Sequence, residues 1–129
     1  MNQWFNKYTD IPYKLFGTDP TTGMDCFNLL CYVFKQEAGI LIPYTSSDFL
    51  KMVDDQWFTK THEQHFLNGS KNGDWVEVDT LQPYDLILMC LGATNVVNHV
   101  AMYVGNNKIL QMIENRDSAI YDYHKYFKQ

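Results

Sequence analysis

The spacing of apolar residues changes period part-way along the chain. From Trp4 to Thr9, Trp4, Phe5 and Tyr8 fall on one side of a short amphipathic helix that Pro12 ends. Tyr13-Lys14-Leu15-Phe16 then runs extended into a Gly/Pro/Thr-rich loop, Gly17–Gly23. After Asp25-Cys26 the period is helical: Leu29, Leu30, Val33 and Phe34 share a stripe, and Gly39 is the predicted stop. Asp25 is the natural N-cap. Ile40-Leu41-Ile42-Pro43 is apolar and closed by proline, and Ser46 or Ser47 caps a further helix through Phe49, Leu50, Met52 and Val53. Between Asp54 and Gly73 the pattern weakens, with Trp57, Phe58, Phe66 and Leu67 as anchors of a third helix before an Asn/Gly/Ser loop.

From Trp75 the period becomes that of strands. Trp75–Val78 alternates, and Gln82-Pro83-Tyr84-Asp85 reads as a turn. Leu86–Leu91 is a continuous apolar run, the pattern of a central buried strand. His99–Val104 and Lys108–Ile113 flank Gly105-Asn106-Asn107 and predict a β-hairpin. Ser118–Phe127 is aromatic-rich and fits a weak helix or a terminal strand. Helices first and an antiparallel sheet afterwards make an α+β domain, and 129 residues with 46% hydrophobic composition suit one domain over 1–129 with a real core.

A net charge of -5 argues against a phosphate-binding surface, and hence against nucleic acid as the main partner. No run of about 18 apolar residues suggests a membrane span. Met1–Lys7 lacks the apolar core of a signal peptide, so the chain as given is expected to be cytoplasmic, already processed, or carried out of the cell by other means. The three cysteines, Cys26, Cys31 and Cys90, form no Cys-x-x-Cys pair and fit neither a disulfide framework nor a four-ligand zinc site. Cys26 and Cys31 point apart, about 140° round a helix. Cys31 and Cys90 read as core thiols. His62 and His65 have helical zinc spacing but no third or fourth ligand in view, so no zinc site is expected there.

Cys26 stands out by position. In the first turn of a helix, unpaired N–H groups and the dipole favour an anion, so the thiol pKa is expected to fall. A thiolate nucleophile needs a base that takes its proton and returns it to a leaving amine, and His99, at the start of a strand, suits both steps. A third group must hold the imidazole. With a three-residue hairpin loop, Ala101 faces Gln111, and His99 and Gln111 share a sheet face as diagonal neighbours. With a two-residue loop the parity flips and Glu114 becomes the orienting residue. The three-residue loop, with Asn107 left-handed, is the favoured alternative.

These residues resemble the NlpC-like cell-wall cysteine peptidases, a branch of the papain-like fold. Tyr13–Cys26 looks like that family's tyrosine, glycine loop and Asp-Cys entry, and Gly39-Ile40-Leu41-Ile42-Pro43 like its Gly-hydrophobic-Pro segment. Pro83-Tyr84-Asp85-Leu86 is similar to its Pro-Gly-Asp-Leu turn with tyrosine in place of glycine, and His99–Gly105 to its His-Val-Gly-Ile-Tyr-Val-Gly strand. Phe27-Asn28 departs from the usual Ser-Gly, a departure seen in phage tail proteins. The resemblance implies N-terminal helices on an antiparallel sheet of about five or six strands. It also implies an endopeptidase acting on peptidoglycan stem peptides between γ-D-glutamyl and a diamino acid. Cys26 would be nucleophile, His99 base and acid, and Gln111 orienter. The Cys26 backbone N–H would serve the oxyanion, with Tyr13 lining the site and Asp25 at the helix cap. Partners would be the peptidoglycan peptide and, for a virion-borne enzyme, other phage tail proteins. The alternatives are an inactive structural tail module, or an amidase or acyltransferase using the same Cys-His pair.

Overall fold

The computed structural model describes residues 3–43, 45–46, 78–89 and 99–123. Trp75–Glu77 of the expected strand Trp75–Val78, the helices beyond Ser46, Cys90 and the His62/His65 pair lie outside the described residues. The described elements run in order from a 3-10 helix, Trp4–Tyr8, through strands β1 (Thr18–Asp19) and β2 (Gly23–Met24) to helix α1 (Cys26–Ala38). Strands β3 (Leu86–Met89), β4 (His99–Gly105), β5 (Lys108–Gln111) and β6 (Ala119–Asp122) follow. The strands form a four-stranded antiparallel sheet in the order β3-β4-β5-β6, with β1 and β2 as a separate ribbon. This is the expected α+β class. Among the described strands β3 lies at the sheet edge, with three of its four residues half-buried, rather than at the centre as the continuous apolar run suggested. Of the aromatic-rich C-terminal segment, Ala119–Asp122 forms a strand. Among the described residues no helix is long and apolar enough to cross a membrane.

α1 starts and stops where local chemistry says it should. The Asp25 side chain accepts from the Asn28 N–H, and Gly39 turns left-handed at φ 67, its N–H and that of Ile40 closing on Lys35 and Phe34 carbonyls. The helix lays Leu29, Leu30, Val33 and Phe34 onto one face of the sheet, against Val100, Met102, Val104, Leu110 and Met112. Full burial of each such side chain contributes about 1.5–3 kcal/mol. The opposite sheet face carries Met89, Ala101 and Ile109, with Ile87, Tyr103, Tyr121 and Tyr123 around them. His99 pairs with Met89 across β3 and β4, and Gln111 lies two residues from Ile109, so both belong to this second face.

The chain's beginning is fastened from two directions. Buried Ser118 donates its hydroxyl to the Tyr8 carbonyl at 2.7 Å and accepts from the Ile11 N–H at 2.9 Å, tying the first segment to the approach of β6. The Tyr8 hydroxyl donates to Glu37 in the last turn of α1, and Lys7 pairs with the same carboxylate at 2.7 Å. Tyr84 occupies the position where the resembling turn carries glycine, and it adopts a left-handed φ of 79. Its ring lies 4.8 Å from that of Trp4, an aromatic contact that offsets part of the backbone strain.

Two glycines respond differently to a methyl group. A Cβ on Gly39 meets nothing within 4 Å, so only its positive φ opposes alanine there. A Cβ on Gly17 would stand 2.2 Å from the Gly23 carbonyl oxygen, which backbone movement alone relieves. Urea unfolding should show Gly39→Ala losing about 1 kcal/mol, while Gly17→Ala loses more than about 2 kcal/mol because the loop entering Cys26 must shift. Equal losses would mean that the Gly17–Gly23 contact is not tight in solution.

Candidate active site

Cys26 opens α1 and is 6% exposed, packed in the core cluster beside Met24, Phe27 and Leu29. The backbone N–H of Val100 is directed at its thiol, together with those of Phe27 and Cys26 itself. The helix start therefore meets β4 at the peptide that joins His99 to Val100. At 2% exposure His99 is fully enclosed, and its Nε2 lies 2.9 Å from Oε1 of Gln111. An amide oxygen only accepts, so Nε2 carries the ring proton and Nδ1 keeps the free lone pair. Gln111 is 1% exposed, and its Nε2 has no hydrogen-bond partner among the described residues. A buried amide left half-satisfied costs about 1–3 kcal/mol, so its presence is not explained by stability.

The hairpin reaches this arrangement by a different route from the one expected. Gly105 pairs with Lys108 across a two-residue turn, Asn106-Asn107, in which both asparagines are left-handed at φ 53 and 60. A two-residue turn alone would have sent Gln111 to the other face. The register shifts between Tyr103 and Gly105, however, so that Met102 pairs with Leu110. Val104 is the extra residue of a β-bulge, and the bulge restores the parity of the three-residue alternative. Gln111, rather than Glu114, contacts the imidazole.

The direction of the thiol pKa corrects the sequence expectation. Burial raises it most, the Asp25 carboxylate raises it further, and the N–H groups of Val100, Phe27 and Cys26 offset only part of this. The helix terminus works as expected but is outweighed by desolvation. Cys31 also follows burial, to about 12. His99 moves the other way, pushed down to about 4 by burial against the raising effect of Gln111. At neutral pH Cys26 thus carries a thiol and His99 a neutral imidazole.

Asp25, 2% exposed, accepts from the N–H groups of Asn28 and Phe16, both at 2.9 Å, and from the Ser46 hydroxyl. Burial pushes its carboxyl above the usual range, against the lowering effect of these donors. Its carboxylate is turned into the fold. Tyr13 makes a parallel bridge to Met24, two residues before Cys26, and its half-buried ring packs against the core cluster. Asn28 and Ser46 were not among the residues singled out for the site. The signal was there for Asn28: a polar residue beside Phe27, Leu29 and Leu30 in the first turn of an apolar helix. Among the described residues no group of three or more His, Cys, Asp or Glu could hold a metal.

Residues 10–129 match the NlpC/P60 family. The chain belongs to the NlpC/P60 family. It is 26% identical over 105 residues to the gamma-DL-glutamyl hydrolase of Bacillus subtilis (strain 168), covering 81% of this chain and 21% of that protein. It is 29% identical over 100 residues to the murein DD-endopeptidase MepH of Escherichia coli (strain K12), covering 78% of this chain and 30% of that protein. The chain thus spans less than a third of the length of these curated relatives. The NlpC/P60 domain of the peptidoglycan hydrolase SagA superposes with a TM-score of 0.57 at 20% identity, covering 93% of this chain and 84% of that one, a likeness of fold.

The low histidine pKa has a stability consequence with a definite sign. An unfolded histidine binds its proton near pH 6.5, whereas folded His99 does so only near 4, so acidification favours the unfolded chain. This contribution is complete above about pH 6.5 and is lost as the pH falls towards 4, by at most about 3 kcal/mol. NMR titration should find the His99 ring neutral down to about pH 4. Gln111→Ala should lower the value further. A midpoint near 6.5 would show that the ring is not enclosed as described.

Proposed function

We propose that this chain is a cysteine endopeptidase of the peptidoglycan-hydrolysing kind, in which Cys26, His99 and Gln111 form the catalytic triad of a single domain over 1–129. The observation that carries the reading is the 2.9 Å contact from His99 Nε2 to Gln111 Oε1, which leaves Nδ1 as the base on the strand whose next N–H faces the Cys26 thiol. Family membership and relatives named as a gamma-DL-glutamyl hydrolase and a murein endopeptidase support the substrate class. The bond cleaved is that between a γ-D-glutamyl residue and a diamino acid.

In this mechanism the proton leaves sulfur only as the attack begins. Nδ1 of His99 takes it, Cys26 Sγ bonds to the scissile carbonyl carbon, and the backbone N–H of Cys26 donates to the developing oxyanion. Gln111 Oε1 holds the imidazolium through Nε2–H and stabilises its charge less than a carboxylate would. Collapse of the tetrahedral intermediate breaks the C–N bond as the imidazolium protonates the leaving amine. Water, deprotonated by His99, then hydrolyses the thioester and returns the proton to sulfur. Tyr13 lines the approach to the thiol, and Asp25 sets the helix start from beneath. The bulky Phe27-Asn28 pair favours a virion-borne form that acts on the wall as part of a phage tail.

Digestion of purified sacculi followed by mass spectrometry of the released muropeptides tests the reading. New γ-D-glutamyl carboxyl termini should appear with the wild type and vanish with Cys26→Ser and His99→Ala. Gln111→Ala should lower the rate about 10- to 100-fold without abolishing it, and Glu114→Ala should have little effect. An unchanged muropeptide profile with the folded wild type would overturn peptidoglycan hydrolysis. Transfer of the acyl group to an added amine instead of water would point to the acyltransferase alternative.

With a neutral resting pair, activity needs unprotonated His99. The acid limb of kcat/KM should therefore lie below pH 6.5, towards about 4, rather than near the ordinary histidine value. A limb centred at 6.5 would mean that another ionisation governs the free enzyme.

A further inference from the structure

Cys26 sits in the chain between two members of a closed ring of hydrogen bonds. The Asn28 N–H donates to Asp25 Oδ1 at 2.9 Å, the Ser46 N–H donates to Asn28 Oδ1 at 2.9 Å, and the Ser46 hydroxyl donates to Asp25 Oδ2. The three side chains are 2%, 3% and 0% exposed, so water does not compete for these bonds. Two further bonds of 2.9 Å, Asn28 Nδ2 to the Gly17 carbonyl and the Phe16 N–H to Asp25 Oδ2, carry the ring into the loop that precedes the helix.

Ordinary capping does not account for the ring. Asp25 already serves the helix by accepting from the Asn28 N–H. The Ser46 hydroxyl satisfies no helix N–H; it donates to the cap itself, from a segment 21 positions along the chain. Asn28, instead of leaving its amide to solvent, uses the oxygen on one segment and the nitrogen on another. Both residues therefore act on the orientation of Asp25 and of the first helical turn. That turn carries the thiol facing Val100 and the Cys26 N–H assigned to the oxyanion. An error of about 1 Å at a nucleophile can cost about 100-fold in rate.

We propose that Ser46 and Asn28 are positioning residues for Cys26, locking the first turn of α1 so that sulfur and oxyanion donor keep one geometry relative to β4. The inference rests on the reading of Cys26 as the nucleophile. Because the locked turn acts on attack rather than on substrate binding, its loss falls on kcat and on the intrinsic reactivity of the sulfur.

The experiment compares wild type, Ser46→Ala, Ser46→Thr and Asn28→Ala in the intact chain. Three quantities are read for each: kcat and KM on a peptidoglycan stem peptide, the rate of iodoacetamide alkylation mapped to Cys26 at fixed pH, and Tm. Ser46→Ala and Asn28→Ala should each lower kcat about tenfold or more with KM within about twofold. The Cys26 alkylation rate should change at least about fivefold in both, and Ser46→Thr, which keeps the hydroxyl, should recover most of the loss. A lowered Tm with unaltered kcat and alkylation in the folded variants would reduce the ring to a stability device and overturn the proposal. If Ser46→Ala does not fold, Asn28→Ala decides by the same criteria. Should the peptide resist the wild type while the alkylation changes still appear, the function reading fails and the positioning inference stands.

Discussion

A carboxylate removed from water has to be met by donors, and Asp25 draws them from three stretches of the chain. Phe16 reaches it from the loop before the helix, Asn28 from the helix itself, and Ser46 from the segment that follows. Phe16 takes a left-handed φ of 64 at the position from which its N–H reaches the carboxylate, a strained backbone state for an aromatic residue. Such strain persists where surrounding contacts over-determine it. The start of α1, the loop around Gly17 and the Ser46 segment are thus one cooperative unit. Cys26 inherits its position from that unit rather than from its own contacts.

The charge state of the site follows from the same enclosure. Helix-terminal N–H groups favour a thiolate, but they act on a sulfur that is 6% exposed and next to a buried negative charge. Desolvation opposes charge on both the thiol and the imidazole, so each group rests neutral. In the proposed mechanism, charge separation accompanies bond formation to substrate and is not stored beforehand. A neutral glutamine suits the third place in that proposed triad. It holds the ring without placing a further buried charge beside it.

Features governed by nearest neighbours were legible in the sequence. Asp25 as cap, Gly39 as stop and the stripe of Leu29, Leu30, Val33 and Phe34 all depend on spacing within one helix. The hairpin was legible in pairing but not in mechanism, since a bulge leaves no mark in residue type at Val104. The thiol pKa was misread because helix position is written locally, whereas desolvation depends on which strands close over the cysteine. Asn28 stood out locally as a polar residue in an apolar turn, but what it and the Ser46 side chain bind lies 11 to 21 positions away. The apolar run at Leu86–Met89 marked a strand correctly.

The bulge at Val104 places a rule on how this hairpin can change over evolutionary time. Because side chains alternate, removing or adding one residue anywhere between His99 and Gln111 turns one of the two to the wrong side of the sheet. Length changes at the tip are therefore tolerable only in compensating pairs. A loop that looks free to drift is held to parity by an amide and a ring twelve residues apart.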